Sequence, residues 1–219
     1  MKRTEKWITA EEIANALTHG IGTVLAIAAV ILMFYHIARE NGDLWHILSA
    51  SVYGVSLILL YLMSTLYHSF FKLPKVCAVF KILDHSAIYL LIAGSYTPFL
   101  WIALRHSSGL AVSAGIWALA AAGIVWHCCN IRRFHILATL CYVGMGWMAV
   151  FLLPDLLNAL PPSALLWLIA GGLSYTVGTV FYLWKGLPFQ HTIWHLFVLG
   201  GSAAHFYCIY QFVLPMQSV

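Results

Sequence analysis

An all-α integral membrane fold, a bundle of seven transmembrane helices, is what this sequence predicts, and three observations carry the prediction. The first is composition: of 219 residues 62% are hydrophobic and only 8% are charged, whereas a soluble domain carries roughly a quarter charged residues. The second is length, because the apolar residues fall into seven runs long enough to cross about 30 Å of hydrocarbon at about 1.5 Å per residue. The third is the distribution of charge. Seven spans put the N-terminus and the connections after spans 2, 4 and 6 on one side, and that side carries Lys2, Arg3, Lys6, Lys72, Lys75, Lys81, Arg132, Arg133 and Lys185, against Arg39 and Arg105 on the other. The positive-inside rule then predicts a cytoplasmic N-terminus and a C-terminus outside.

Taken in order, residues 1–8 are polar and basic, and the expected cytoplasmic N-terminal segment, residues 1–15, ends in the start of an amphipathic helix. Within it Thr9-Ala10-Glu11-Glu12 has the form of a capping box, which predicts that this helix starts there. The membrane domain follows over residues 16–214, with spans expected at 16–38, 45–70, 79–104, 109–129, 135–153, 163–184 and 190–214, and residues 215–219 form a short tail. The connections are short polar or proline-bearing stretches: Arg39 to Asp43, Lys72 to Lys75, Arg105 to Ser108, Asn130 to Arg133, Pro154 to Pro162 and Lys185 to Pro188. The first apolar run has no small-residue cleavage site, so it is expected to be retained as a span.

Several function classes drop out on composition. The net charge of +4 sets orientation in a membrane protein and gives no support to nucleic-acid binding. The five cysteines are odd in number, lie in or beside apolar runs and include no Cys-x-x-Cys pair, so a disulfide framework is not expected.

The chemistry concentrates in Gln190-His191-Thr192-Ile193-Trp194-His195, which opens the last span with two histidines four residues apart. At helical pitch these rings lie one above the other on one face, a metal-ligand spacing. Ionisable side chains inside a membrane span are costly and mark functional sites. Convergence from other helices requires equal depth, and two residues meet it: His68, four residues before Lys72 at the end of span 2, and Asp84, three residues after Lys81 at the start of span 3. Three imidazoles with an open fourth position for water make the ligand set of a catalytic zinc site. His68, His191 and His195 would bind Zn²⁺ as neutral rings, while Asp84 is either the general base for its water or a fourth ligand. Ser64, one turn before His68, either orients water, His68 or a substrate carbonyl or bonds back to its own helix. Glu12, Asn15 and His19 recur at i, i+3 and i+7 at the start of span 1, a polar stripe expected to support the ligands from behind or to pack.

Taken together, Glu11-Glu12-Ile13-Ala14-Asn15 with Thr18-His19-Gly20, Ser64-Thr65-Leu66-Tyr67-His68, Lys81-Ile82-Leu83-Asp84-His85-Ser86-Ala87-Ile88-Tyr89 with Gly94-Ser95-Tyr96-Thr97-Pro98, and His191-Thr192-Ile193-Trp194-His195 with His205-Phe206 resemble the bacterial hemolysin III family. That family sits with the progestin and adipoQ receptors, adiponectin receptors among them, and more distantly with alkaline ceramidases. The resemblance implies a multi-pass protein of the bacterial cell (inner) membrane with an intramembrane zinc near the cytoplasmic face. It implies zinc ligands at His68, His191 and His195, a water-holding acid at Asp84 and the motif serine at Ser64. The long N-terminal domain of the animal receptors has no counterpart in this sequence, so ligand reception is not implied.

Other polar residues fit less well. His127-Cys128-Cys129 and His135 invite a second metal, but the spacing matches no familiar site. His85 points about 100° away from Asp84 around its helix, and His205 lies about 15 Å deeper than His195; neither is expected to reach the metal. Gly20 and Gly22, Gly171 and Gly172, and Gly200 to Ala204 read as small-residue packing stretches.

Three functions are consistent with these readings: a zinc-dependent hydrolase cleaving an amide or ester of a membrane lipid, a receptor-like or membrane-homeostasis protein with structural zinc, and a pore. The pore has least support, because a water-filled path needs polar residues at all depths. A membrane lipid is the expected partner, as substrate or ligand.

Overall fold

The computed structural model describes residues 5–130 and 135–217. The described residues are helical almost throughout, with no strand, and seven helices are long and apolar enough to cross a membrane. Lys2, Arg3, Arg132 and Arg133, four of the charges used to orient the chain, lie outside the described residues.

Helix α1 (Glu5–Arg39) is longer than its capping box predicts. It is already formed at Glu5, so Thr9 lies inside it rather than at its cap. A tertiary contact extends this turn, because the Trp7 ring rests on Phe189 with centroids 5.5 Å apart. A genuine capping box occurs instead at α2 (Leu44–Ser69). Asp43 accepts from the amides of Trp45 and His46 at 2.9 and 3.1 Å, and the His46 ring folds back so that its Nδ1 lies 3.3 Å from the Asp43 amide nitrogen.

Helix α3 (Pro74–Pro98) begins five residues before the expected 79, with Pro74 in the first turn, where its missing N–H costs nothing. After Pro98 the ladder widens, and Phe99–Ala103 continue as a π-helical turn closed by the Leu104 amide on the Phe99 carbonyl. Helix α4 (Gly109–Asn130) follows.

The fifth span is broken. Helix α5 (His135–Gly146) passes into a 3₁₀ stretch, Trp147–Leu152, and resumes as α6 (Leu153–Ala159). Pro154, expected to open a connecting loop, sits in the first turn of α6, a position that tolerates proline. In hydrocarbon such a break is allowed only where the freed backbone groups find partners, and Tyr96 supplies them. Its hydroxyl donates to the Gly146 carbonyl at 2.6 Å and accepts from the Ala149 amide at 2.8 Å. Helix α7 (Pro162–Leu183) and helix α8 (Gln190–Cys208), which continues as a π-turn over Ile209–Val213, complete the bundle.

Helix α1 packs against α2 and α8, α2 against α3, α3 against α4, and α7 against α8, while α5 touches its neighbours sparsely. The core they enclose includes Met33, Tyr53, Tyr61, Leu100 and Ile209. Several glycines allow close approach, Gly22, Gly171 and Gly201 among them. A Cβ on Gly22 would overlap the Tyr61 ring, and one on Gly171 would overlap the His205 ring. Gly20 and Gly172, paired with them in the sequence reading, have room for a methyl group and are not close-packing points. At the end of the bundle away from the N-terminus, Asp43 also pairs with Arg105 at 3.2 Å and with His46 at 2.6 Å. His46 in turn reaches the Met216 carbonyl at 2.9 Å, fastening the segment that follows the last π-turn to α2.

Candidate metal centre

Two helix ends bring three imidazoles together. His68 comes from the last turn of α2 and His191 and His195 from the first turns of α8, and the ring centroids lie 4.9, 5.1 and 4.6 Å apart for the pairs 68–191, 68–195 and 191–195. One potential ligand atom from each lies within 4.8 Å of the others, a group that could hold a metal ion. The helical register explains the α8 pair. The backbone explains its placement, since Phe189 takes a left-handed conformation at φ 53° just before the helix and its carbonyl accepts from the Ile193 amide at 2.9 Å.

Helix α1 orients two of the rings from behind. The Glu12 carboxylate accepts from His68 Nδ1 at 2.6 Å, which leaves Nε2 as the lone-pair nitrogen; that atom is buried with no hydrogen-bond partner. His195 Nδ1 lies 3.2 Å from the Asn15 carbonyl and 3.0 Å from the Thr18 hydroxyl, which again assigns the N–H to Nδ1 and the lone pair to Nε2. Thr192, between the two α8 histidines, donates to Asn15 Oδ1 at 2.6 Å. Carboxylates and carbonyls behind metal-binding histidines fix tautomer and ring orientation in this way. The donor set therefore fits a metal: three converging imidazoles, two of them oriented by α1 and one of those bearing an enclosed nitrogen that no protein group uses.

Asp84 and Ser64 are both buried and line the same cavity, and the Ser64 hydroxyl faces the Asp84 carboxylate. Asp84 stands outside the close group of three imidazoles. The cavity has a volume of about 390 Å³ and is mostly apolar. It runs from His191, Ser64 and Asp84 towards Leu165, Leu168 and His205. Val150, Leu153 and Ile169, which line it from the broken fifth span and from α7, are also exposed on the outer surface of the bundle.

With this geometry in view the comparisons are decisive. The sequence matches the family described as Haemolysin-III related over residues 7–206. The chain belongs to the haemolysin-III-related family. It is 52% identical to Hemolysin-3 of Bacillus cereus over 208 residues, 95% of this chain and 94% of that protein. It is 47% identical to the Hemolysin-3 homolog of Bacillus subtilis (strain 168) over 199 residues, 91% and 92% of the two chains. The Monocyte to macrophage differentiation factor of Homo sapiens is 32% identical over 212 residues, covering 93% of this chain and 84% of that one.

In this haemolysin-III-related chain the other histidines fall where depth and helical angle put them. His205 Nε2 donates to the Leu168 carbonyl at 3.1 Å, a structural bond far from the cluster. His85 Nδ1 donates to the Lys81 carbonyl at 2.8 Å, and the ring stacks on His127 at 5.0 Å. Cys128 and Cys129 are exposed, and the side chain of His135 lies outside the described residues. Thr18 and Thr192 escaped the sequence reading as orienting residues. Their signal was present, because Thr18 extends the Glu12, Asn15 periodicity by one turn and Thr192 is flanked by ligand candidates. Hydroxyls in membrane helices commonly bond to their own backbone, and Thr18 does this as well.

Proposed function

We propose that this protein is a zinc-dependent lipid hydrolase of the inner membrane, with its site near the cytoplasmic face, cleaving an amide or ester bond of a lipid that enters sideways from the bilayer. The observation that carries the reading is a buried carboxylate and serine, Asp84 and Ser64, beside three converging imidazoles at the head of an apolar cavity. Zinc at His68, His191 and His195 would supply Lewis-acid polarisation of a carbonyl and a bound water of lowered pKa.

The chain's own groups supply the rest. The apolar walls take up an acyl chain, exclude bulk water and place the acyl carbonyl beside the histidines. Asp84 accepts a proton as the water oxygen attacks the acyl carbon, and returns it to the leaving nitrogen or oxygen as the acyl bond breaks. The products are a fatty acid and an amine or alcohol. Ser64 donates to the Asp84 carboxylate and holds it in place. Glu12 and Asn15 keep the lone pairs of His68 and His195 pointed at the common centre.

A structural-metal reading is favoured by one observation: the histidines join α2 to α8 where both also bond to α1, so a metal there staples three helices. The pore suggested by the name of the Bacillus cereus relative is opposed by the apolar lining of the cavity. The test is metal content and lipid turnover by purified protein. His191→Ala should abolish binding of about one zinc, and Asp84→Asn should keep the zinc while lowering turnover of an N-acyl lipid by about a hundredfold or more. Full zinc occupancy in His191→Ala refutes the metal assignment. A zinc-loaded wild type that cleaves no amide or ester lipid leaves the staple as the reading.

A further inference from the structure

Cleavage of an acyl bond calls for a donor to the carbonyl oxygen, where negative charge develops, and most hydroxyls that line the cavity are already committed elsewhere. Ser95, Thr176 and Thr179 donate to carbonyls of their own helices. Tyr96 and Tyr142 donate to the Gly146 and His85 carbonyls, Tyr175 pairs with Ser202, and Ser64 faces Asp84. Tyr182, in the last turn of α7, is the exception. Among the described residues no protein group bonds its hydroxyl, and the oxygen is open to a water-sized molecule. Its ring centroid lies 5.7 Å from those of His191 and Trp194, at the metal end of the cavity. A tyrosine near a membrane surface commonly turns its hydroxyl to bulk water; this one keeps it where the charge of the buried Asp84, across on α3, acts on it. The side chain thus borders the space between the imidazoles and the carboxylate, where the acyl carbon sits when water is delivered to it.

We propose that Tyr182 is a catalytic residue of this site: its O–H donates to the carbonyl oxygen of the bound lipid, in a bond that strengthens as that oxygen takes up charge. The phenol keeps its own proton throughout. The proton that Asp84 takes from water still goes to the leaving nitrogen or oxygen as the acyl bond breaks. A carboxylate only accepts, so Asp84 cannot serve the carbonyl oxygen, and a spare phenol O–H beside it can. The inference rests on the hydrolase reading of the same site and adds what that reading leaves open, which side chain steadies the oxyanion.

The experiment uses the purified, zinc-loaded full-length protein and undecyl methyl ketone labelled with ¹³C at its carbonyl, a chain that has the oxygen but no bond to hydrolyse. Isotope-edited infrared spectra read the hydrogen bond itself. The carbonyl band should lie at lower wavenumber in the wild type than in Tyr182→Phe, which keeps the ring and loses only the hydroxyl. Tyr182→Phe should weaken the ketone about three- to tenfold and change tridecane, which has no oxygen, by less than about twofold. On an N-acyl lipid its kcat should fall about a hundredfold, by more than KM rises, with zinc content unchanged. The same carbonyl band in both proteins overturns the proposal, as does an equal loss for ketone and alkane, loss of zinc in Tyr182→Phe, or a wild type that does not bind the ketone. Should Tyr182→Phe fail to insert, Tyr182→Leu against Tyr182→Gln makes the same comparison, since glutamine restores a donor. A Tyr182-dependent band in a protein that cleaves no amide or ester lipid refutes the hydrolase and leaves Tyr182 as the carbonyl donor. Equal turnover by wild type and Tyr182→Phe leaves the hydrolase standing and overturns the role of Tyr182.

Discussion

Glu12 is the residue on which the geometry of the cluster leans hardest. Its carboxylate, 2.6 Å from His68 Nδ1, decides which nitrogen of that ring faces the centre, and groups in this position typically change metal affinity by about 10- to 100-fold. Glu12→Ala should therefore lower zinc affinity by about that factor while leaving the helix bundle intact. Glu12→Gln, which retains a carbonyl acceptor, should fall between. Competition against a chelator of known affinity measures both, and unchanged affinity in Glu12→Ala would show that His68 needs no orienting partner. The i, i+3, i+7 stripe of Glu12, Asn15 and His19 was legible as polar residues on one face. Which atom each meets was not, because the partners His68, Thr192 and His195 are 56, 177 and 180 residues away in sequence.

Among the elements, the broken fifth span is the least expected and the best explained. A Pro-bearing run reads as a loop from sequence, since proline ends helices. Here the helix breaks earlier, at Trp147, and a tyrosine from α3 fills the gap by bonding to Gly146 and Ala149. Tyr96→Phe removes that partner from a part-buried carbonyl and amide of the broken span, at a cost of about 1–3 kcal/mol. The expected outcome is a lower midpoint of thermal unfolding in detergent, with zinc content retained by the protein that remains folded. An unchanged midpoint would mean that water replaces the hydroxyl. Trp147, Val150 and Leu153 of this same span line the cavity, so the break that Tyr96 stabilises also forms part of its wall.

For the whole molecule, orientation is the property with consequences. The excess of Lys and Arg on the N-terminal side predicts a cytoplasmic N-terminus, which puts the histidine cluster near the cytoplasmic leaflet and the Asp43–His46–Arg105 fastening at the outer face. Alkaline phosphatase fused after Val219 should be active and a fluorescent protein fused there dark, with the reverse for fusions in the connection at Lys185. A fluorescent C-terminal fusion would invert the bundle and move the site to the outer leaflet.

Sequence by itself determined the architecture. In hydrocarbon backbone polar groups must find partners inside the protein, and a helix supplies nearly all of them within its own segment, so length and apolarity yield seven helices, and helical pitch alone puts His191 and His195 on one face. Depth from the helix ends was enough to group His68 and Asp84 with them. The tertiary structure alone decided the rest: that Asp84 stands beside the imidazole group rather than in it, that α1 supplies the bonds fixing two tautomers, that His19 is stacked on His195, and that an apolar cavity adjoins the cluster. These depend on crossing angles and side-chain contacts between helices far apart in the chain. Periodicity fixes the face a residue occupies on its own helix, but carries no information on what stands opposite.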